Sequence, residues 1–235
     1  MALEMCDTIR SNIAKVADTI TAAAKRSGRS PSSIRLVVVG KTHPPETIQA
    51  AIDAGAAIIG ENYIQEARSK FDALICNPVQ WHFIGHLQRN KAKYAVRMFD
   101  LIHTVDSSKL AVELDKQARK AGKVQDILVQ INISAEPTKS GVGENDAEML
   151  LRKINRLPNI RVKGLMAMPP FFYDPEGARP YFKALRLLRD RLKTCDIPNI
   201  EMKELSMGMT GDFEAAIEEG ATLVRIGTYI FGERR

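Results

Sequence analysis

The chain has 235 residues, 45% hydrophobic and 26% charged, which is the balance of an ordinary globular protein with a sizeable core. A formal net charge of +6 suits an anionic ligand such as a phosphate ester. The basic residues alternate with leucines at helical spacing, for example over 183–193, so they predict solvated helix faces rather than a nucleic-acid-binding patch.

The N-terminus and the cysteines bear on the compartment. Glu4 and Asp7 interrupt the first apolar residues and argue against a secretory or mitochondrial leader, and no apolar run is long enough to cross a bilayer. Cys6, Cys76 and Cys195 are far apart and form neither a CxxC pair nor a metal-ligand spacing. We therefore expect a cytoplasmic protein without membrane contact or a bound metal.

Helical and strand patterns alternate along the chain. A first helix is predicted over residues 5–27, with Ile9, Ile13, Val16 and Ile20 on one face and Gly28 at its end. Eight apolar segments then predict strands at 36–40, 56–60, 81–85, 101–105, 126–134, 162–168, 203–207 and 222–227. Helices are predicted at 46–54, 64–74, from 89, at 108–121, 146–157, 176–193 and 212–219.

This alternation implies a parallel sheet, and eight strand–helix units in a chain of this length predict a closed barrel. The predicted fold class is α/β, a single (β/α)₈ TIM barrel with an extra N-terminal helix, in which residues 1–235 form one domain. The alternative, an open doubly wound sheet, would carry a GxGxxG turn after its first strand, and the sequence has none.

In such a barrel the functional site lies at the carboxyl ends of the strands, so unusual residues there are candidates. Lys41 ends the first strand, in VVVGKTHPP. A lysine walled by valines would lose hydration, which would lower its pKa and make it an amine nucleophile for an aldehyde. The alternative is a loop lysine that points into water. A Walker A motif is excluded because its first glycine would fall at Arg35.

The second and third strands end in GENYIQEA and WHFIGHLQRNK. Asn62 is either an N-cap of the following helix or a site residue. His82 and His86 have the spacing of a metal pair, but the segment lacks the glutamate of HExxH and has the composition of a strand. A zinc site is therefore not expected, and His82 can simply pack within the barrel.

The seventh and eighth strands lead into turns suited to an anion. Ser206, Gly208 and Thr210 precede one helix, and Gly227 and Thr228 open another. Hydroxyls and backbone N–H groups at such turns bind phosphate, and barrels often bind phosphate after strands seven and eight. Ordinary turn chemistry is the alternative explanation.

The chain resembles the pyridoxal phosphate homeostasis protein family in five linked motifs. They are LVVVGKTHP, GENYIQEA, WHFIGHLQRNK, VKGLMAM and ELSMGMTGDFEAAIEEGATLVRIGTYIFG, spanning residues 34–232. That family is a fold-type III relative of the N-terminal barrel of alanine racemase. The resemblance implies pyridoxal 5′-phosphate (PLP) bound covalently as a Schiff base on Lys41, with Arg225 facing the pyridine nitrogen and with Ser206, Gly227 and Thr228 holding the phosphate.

The resemblance also implies that Asn62, His82 and Met166 form part of the wall around the cofactor. One residue departs from the family pattern: Thr210 stands where a serine is expected, and it keeps the hydroxyl.

Arg225 bears on what such a cofactor can do. An arginine is already protonated and can only donate hydrogen bonds, so the pyridine nitrogen stays unprotonated and the ring is a weak electron sink. Alanine racemase also takes an acid from a second domain and a partner subunit, whereas this chain ends at Arg235. We therefore expect a monomeric carrier that acts in intracellular vitamin B6 homeostasis rather than an enzyme, with PLP-dependent apo-enzymes as candidate recipients.

Two other functions stay open at this point. One is a PLP-dependent amino-acid racemase or lyase. The other is a cofactor-free barrel enzyme that acts on a sugar phosphate through Lys41, as aldolases do. Colour separates them, because a protein that holds PLP is yellow and an aldolase is colourless.

Overall fold

The computed structural model describes residues 2–74, 78–136 and 138–232. Within these ranges, eight parallel strands close into one barrel in chain order. They are β1 (Arg35–Val39), β2 (Ile58–Glu61), β3 (Gln80–Phe83), β4 (Leu101–Val105), β5 (Gln125–Ile131), β6 (Ile160–Ala167), β7 (Ile200–Met209) and β8 (Leu223–Ile226). The predicted closed (β/α)₈ barrel is confirmed.

Within the same ranges, α-helices alternate with the strands. They are α1 (Ala2–Arg26), α2 (Pro45–Asp53), α3 (Ile64–Leu74), α4 (Ala92–Met98), α5 (Ser108–Lys120), α6 (Ala147–Ile154), α7 (Arg179–Lys193), α8 (Phe213–Glu218) and α9 (Thr228–Phe231). The predicted extra N-terminal helix is α1, which packs against α2, α8 and α9.

Alternate residues of the strands face two different cores. Val38 belongs to the large cluster between sheet and helices, whereas its neighbour Val37 belongs to a second cluster. That second cluster takes residues from six strands and fills the inside of the barrel: Val37, Ile58, Leu101, Leu128, Met166 and Leu223. Since the barrel interior is packed with side chains, a ligand must sit above this apolar layer.

Closure joins the first strand to the last. In the β1–β8 register, Val37 lies opposite Arg225 and Val38 opposite Ile226. The segments that follow β1 and β8 therefore leave the barrel side by side, although they are far apart in sequence.

Some element bounds differ from those predicted. The fifth strand ends at Ile131 rather than at residue 134, because Asn132 turns its amide onto the carbonyl of Glu136 at 2.8 Å and Ala135 takes a φ of 53°. The helices predicted from 89 and from 176 begin as short 3-10 turns at Arg89–Lys91 and Pro175–Ala178.

None of the described helices is both long and apolar enough to span a membrane. Cys6 and Cys195 are free thiols in this structure, and Cys76 lies outside the described residues.

Candidate functional site

Lys41 lies in the turn directly after β1, where Gly40, Lys41 and Thr42 leave the barrel. Its side chain is half-buried at the carboxyl end of the strands. The turn is next to the end of β8: a Cβ built on Gly227 would lie 3.2 Å from the carbonyl oxygen of Val39. Glycine thus allows the two loops to approach closely. Lys41, Gly227 and the exposed Thr228 accordingly share one edge of the barrel.

Arg225 places a guanidinium inside the barrel. It is 4% exposed, and it donates to Ser206 Oγ at 2.6 Å and to the carbonyl of Ala167 at 3.1 Å. Burial lowers the pKa of Arg225 to about 10, against the opposing effect of Asp212. A base with that pKa remains protonated at neutral pH, so the interior of the barrel carries a positive charge.

A chain of hydrogen bonds continues from Arg225 across the barrel. Ser206 Oγ lies 2.8 Å from His103 Nδ1, and His103 Nε2 lies 3.0 Å from His82 Nδ1. Both imidazoles are buried. Burial lowers the pKa of His82 to about 3, and burial together with the nearby His82 and Arg225 lowers the pKa of His103 well below its ordinary value. Both rings are therefore neutral at physiological pH.

Arg225 can only donate, so Ser206 Oγ accepts from the guanidinium. The serine hydroxyl has one proton and a second lone pair, so its contact with His103 Nδ1 can run in either direction, and the tautomers of His103 and His82 depend on that direction. The bonds to Ser206 Oγ and to the Ala167 carbonyl hold the guanidinium in one position.

Asn62 follows β2 and is half-buried. Its Oδ1 atom is buried and has no hydrogen-bond partner among the described residues, so it does not cap α3, and the N-cap interpretation is wrong. The helix instead begins after Tyr63, whose carbonyl accepts from the N–H of Ala67. An unsatisfied buried acceptor of this kind is costly, and a bound ligand could satisfy it.

The turn between β7 and α8 is closed by the side chain of Asp212, the last residue before α8. The N–H of Met209 donates to Asp212 Oδ1 at 2.6 Å, and the backbone N–H of Asp212 returns to the Met209 carbonyl at 3.0 Å. Thr210 is half-buried in this turn. Burial raises the pKa of the Asp212 carboxyl.

The two histidines with metal-like spacing point to different places. His82 is buried and bonded to His103, whereas His86 is exposed and lies 3.4 Å from Ser140 Oγ. Across residues 2–74, 78–136 and 138–232, His, Cys, Asp and Glu side chains form no group of three that could hold a metal ion.

Two features of this region were not predicted from the sequence. His103 was treated only as part of a strand, although a polar residue two positions after the interior residue Leu101 must point into the barrel. The second is a buried ion pair below the Lys41 turn, between Glu61 and Lys70. Glu61 was visible as an acid at the end of an apolar strand, but its partner on α3 could not be identified without the packing.

Comparison with known proteins gives consistent matches over nearly the whole chain. The family model for the N-terminal domain of alanine racemase matches residues 7–235. A protein of Aquifex aeolicus named pyridoxal phosphate homeostasis protein is 45% identical over 223 residues, covering 95% of this chain and 97% of its own. A protein of the same name from Escherichia coli (strain K12) is 42% identical over 233 residues, covering 96% and 97%.

A solved structure agrees with these matches. PipY of Synechococcus elongatus, determined with PLP bound, superposes with a TM-score of 0.83 at 34% identity, covering 95% of this chain and all of that one.

Proposed function

The chain belongs to the alanine racemase N-terminal-domain family, among the pyridoxal phosphate homeostasis proteins, and from that membership we propose that it binds PLP at the mouth of the barrel. PLP brings an aldehyde, which condenses with a lysine amine to a C=N bond with loss of one water. Lys41 is the proposed amine. The bound PLP of PipY, a relative of the same fold, supports the choice of ligand.

The observation that carries this proposal is the closeness of the turns after β1 and β8. One small ligand can reach Lys41 from one turn and Gly227 from the other, because Gly227 packs against the backbone of Val39. We assign the phosphate to Gly227 and Thr228. Ser206 was predicted to join them, and that role stays a prediction because its Oγ already serves Arg225 and His103.

The remaining predicted residues fit the other parts of the ligand. Arg225 would donate to the pyridine nitrogen, with its position set by Ser206. Asn62 offers an unsatisfied acceptor at the mouth. Met166 is fully buried in the apolar layer inside the barrel, and the buried His82 ends the hydrogen-bond chain, so both would support the wall rather than hold a charged group.

The same geometry supports a carrier with little catalytic activity. A protonated Arg225 leaves the ring nitrogen without a proton, which weakens the ring as an electron sink. The imidazoles behind it are neutral and already hydrogen-bonded, so they supply no acid to that nitrogen. We propose that the protein stores PLP in the cytoplasm and delivers it to apo-enzymes.

The visible absorption spectrum tests ligand and residue together. Purified protein mixed with PLP is expected to gain a band near that of a PLP–lysine adduct, and Lys41→Ala is expected to lack it. Lys91→Ala, which removes a lysine from the turn after β3, is the matched control and is expected to keep the band. A band that survives in Lys41→Ala would contradict the assignment, and rapid racemisation of amino acids by the wild type would contradict the carrier role.

A further inference from the structure

A buried cluster of charges lies directly below the turn that carries Lys41, and the proposed function gives it no role. Lys70 on α3 is 3% exposed, and Glu61 at the end of β2 is fully buried. Lys70 Nζ donates to Glu61 Oε1 at 2.8 Å and to the carbonyl of Gly40 at 2.7 Å. The ammonium group therefore anchors the residue that precedes Lys41.

The residue after Lys41 is anchored from the same helix. The N–H of Thr42 donates to Glu66 Oε2 at 2.8 Å, and that oxygen lies 3.9 Å from Lys70 Nζ. Thr42 has a φ of 69°, a left-handed conformation that β-branched residues rarely adopt. The bond to the Glu66 carboxylate thus stabilises a backbone conformation that is costly for a threonine.

Gly40 shows how closely the cluster fits the turn. A Cβ built there would lie 2.7 Å from Glu61 Oε1 and 2.8 Å from Ile48 Cδ1. The carboxylate therefore occupies the space that a side chain at residue 40 would need.

Stability alone is a poor explanation for this cluster. A buried ion pair is costly to desolvate, and apolar side chains of similar size often serve a fold as well. Burial raises the pKa of Glu61 to about 7 despite Lys70, and Glu61 Oε2 has no hydrogen-bond partner among the described residues. What the contacts do determine is the position of the backbone on either side of Lys41.

We propose that Glu61, Glu66 and Lys70 are positioning residues that hold Lys41 where its amine meets the aldehyde of the cofactor. This proposal rests on the proposed function. A backbone fixed on both sides of Lys41 reduces the orientations that its amine samples. The condensation with the aldehyde, which releases one water, would therefore be faster, and the hydrolysis of the C=N bond would be slower.

Glu66 offers the first test, because it is partly exposed and its replacement leaves the buried pair intact. Glu66→Ala removes the acceptor for Thr42, whereas Glu66→Gln keeps an amide oxygen there. Titration with PLP, followed by visible absorbance, is expected to give about tenfold weaker binding for Glu66→Ala and near wild-type binding for Glu66→Gln. Glu148→Ala, which breaks an exposed pair with Arg152 on α6, is the control and should bind as the wild type does.

The double variant Glu61→Met/Lys70→Met separates position from stability. Two unbranched apolar side chains fill the space without leaving a lone buried charge, so the thermal midpoint of the cofactor-free protein should stay near the wild-type value. Formation of the visible band after mixing with PLP should nevertheless be about tenfold slower, because the Gly40 carbonyl has lost the hydrogen bond from the Lys70 ammonium and keeps only that from the N–H of His43.

The outcomes of these experiments distinguish a failure of the proposed function from a failure of the positioning role. If the wild type takes up no PLP, or if Lys41→Ala takes it up equally, the proposed function fails. If the wild type binds through Lys41 but Glu66→Ala matches it in affinity, or Glu66→Gln loses as much as Glu66→Ala, the positioning role is overturned. If the double variant does not fold, the comparison of Glu66→Ala with Glu66→Gln still tests the positioning role.

Discussion

At the residue scale, the neutral imidazoles inside the barrel make stability depend on pH. His82 and His103 stay unprotonated in the folded chain because burial lowers their pKa values. In the unfolded chain they take up protons below about pH 6.5. Their contribution to stability is thus present above that pH and is lost as the pH falls toward the folded-state pKa values.

The variant His103→Asn isolates one of these groups. The wild type is expected to be the more stable protein at pH 7, and the difference in unfolding free energy should shrink by about 2 kcal/mol on going to pH 5. Glu61, whose pKa is raised to about 7, stabilises the folded state as the pH falls. This effect is present in both proteins and cancels in the difference between their unfolding free energies. Urea unfolding at several pH values measures the effect.

His86→Asn, which removes an exposed imidazole, serves as the control for the loss of a histidine side chain outside the barrel interior. If the wild-type and His103→Asn curves run parallel from pH 7 to pH 5, the assignment of a neutral buried His103 is refuted.

Residues at the site differ in how far sequence could predict them. Lys41 and Arg225 stand out because each is a cation at the end of, or within, an apolar strand. The cluster around Lys70 could not be predicted, because its partners Gly40 and Glu61 lie at the ends of two different strands. Only the packing of α3 on the sheet brings them together. Ser206 was predicted to hold the phosphate; its hydrogen bond to Arg225 could not be predicted, because it depends on the β7–β8 register.

At the element scale, the sharp entry into α8 depends on a glycine. Gly208 has a φ of 88°, and a Cβ built there would lie 2.5 Å from the Cβ of Ala216. This approach fixes the end of β7 against α8 and so places the turn that holds Thr210. Position 208 therefore combines a conformational requirement with a steric one.

Gly208→Ala and Gly122→Ala separate the two requirements. Gly122 also has a positive φ, 66°, but its Cβ would meet nothing within 4 Å. Both substitutions should cost about 1 kcal/mol of unfolding free energy for backbone strain, and Gly208→Ala about 1–3 kcal/mol more for overpacking. Chemical denaturation checks this. Equal losses for the two variants would show that the approach of β7 to α8 is not tight.

Element boundaries show the limit of pattern reasoning. The seventh strand was predicted over five residues, 203–207, but runs from Ile200 to Met209. Met202 has a φ of 47°, and the register against β6 shifts there, so the alternation of apolar and polar residues is broken inside one strand. A periodicity argument cannot follow a strand across such an irregularity.

At the scale of the whole molecule, the fold could be predicted because eight strand–helix repeats leave few alternatives to a closed barrel. Closure then brings β1 beside β8 and so unites residues near position 40 with residues near position 227. The chemistry proposed for this protein depends on that closure more than on any local motif. An open sheet with the same strand order would leave the lysine and the phosphate turns at opposite edges.

Borohydride trapping tests the central claim most directly. Reduction of the PLP-loaded protein fixes a cofactor to the lysine that holds it, and peptide mapping by mass spectrometry then identifies that lysine. The added mass is expected on the peptide that contains Lys41. Stable labelling of a different lysine in its place, or no labelling of a protein that binds PLP, would contradict it.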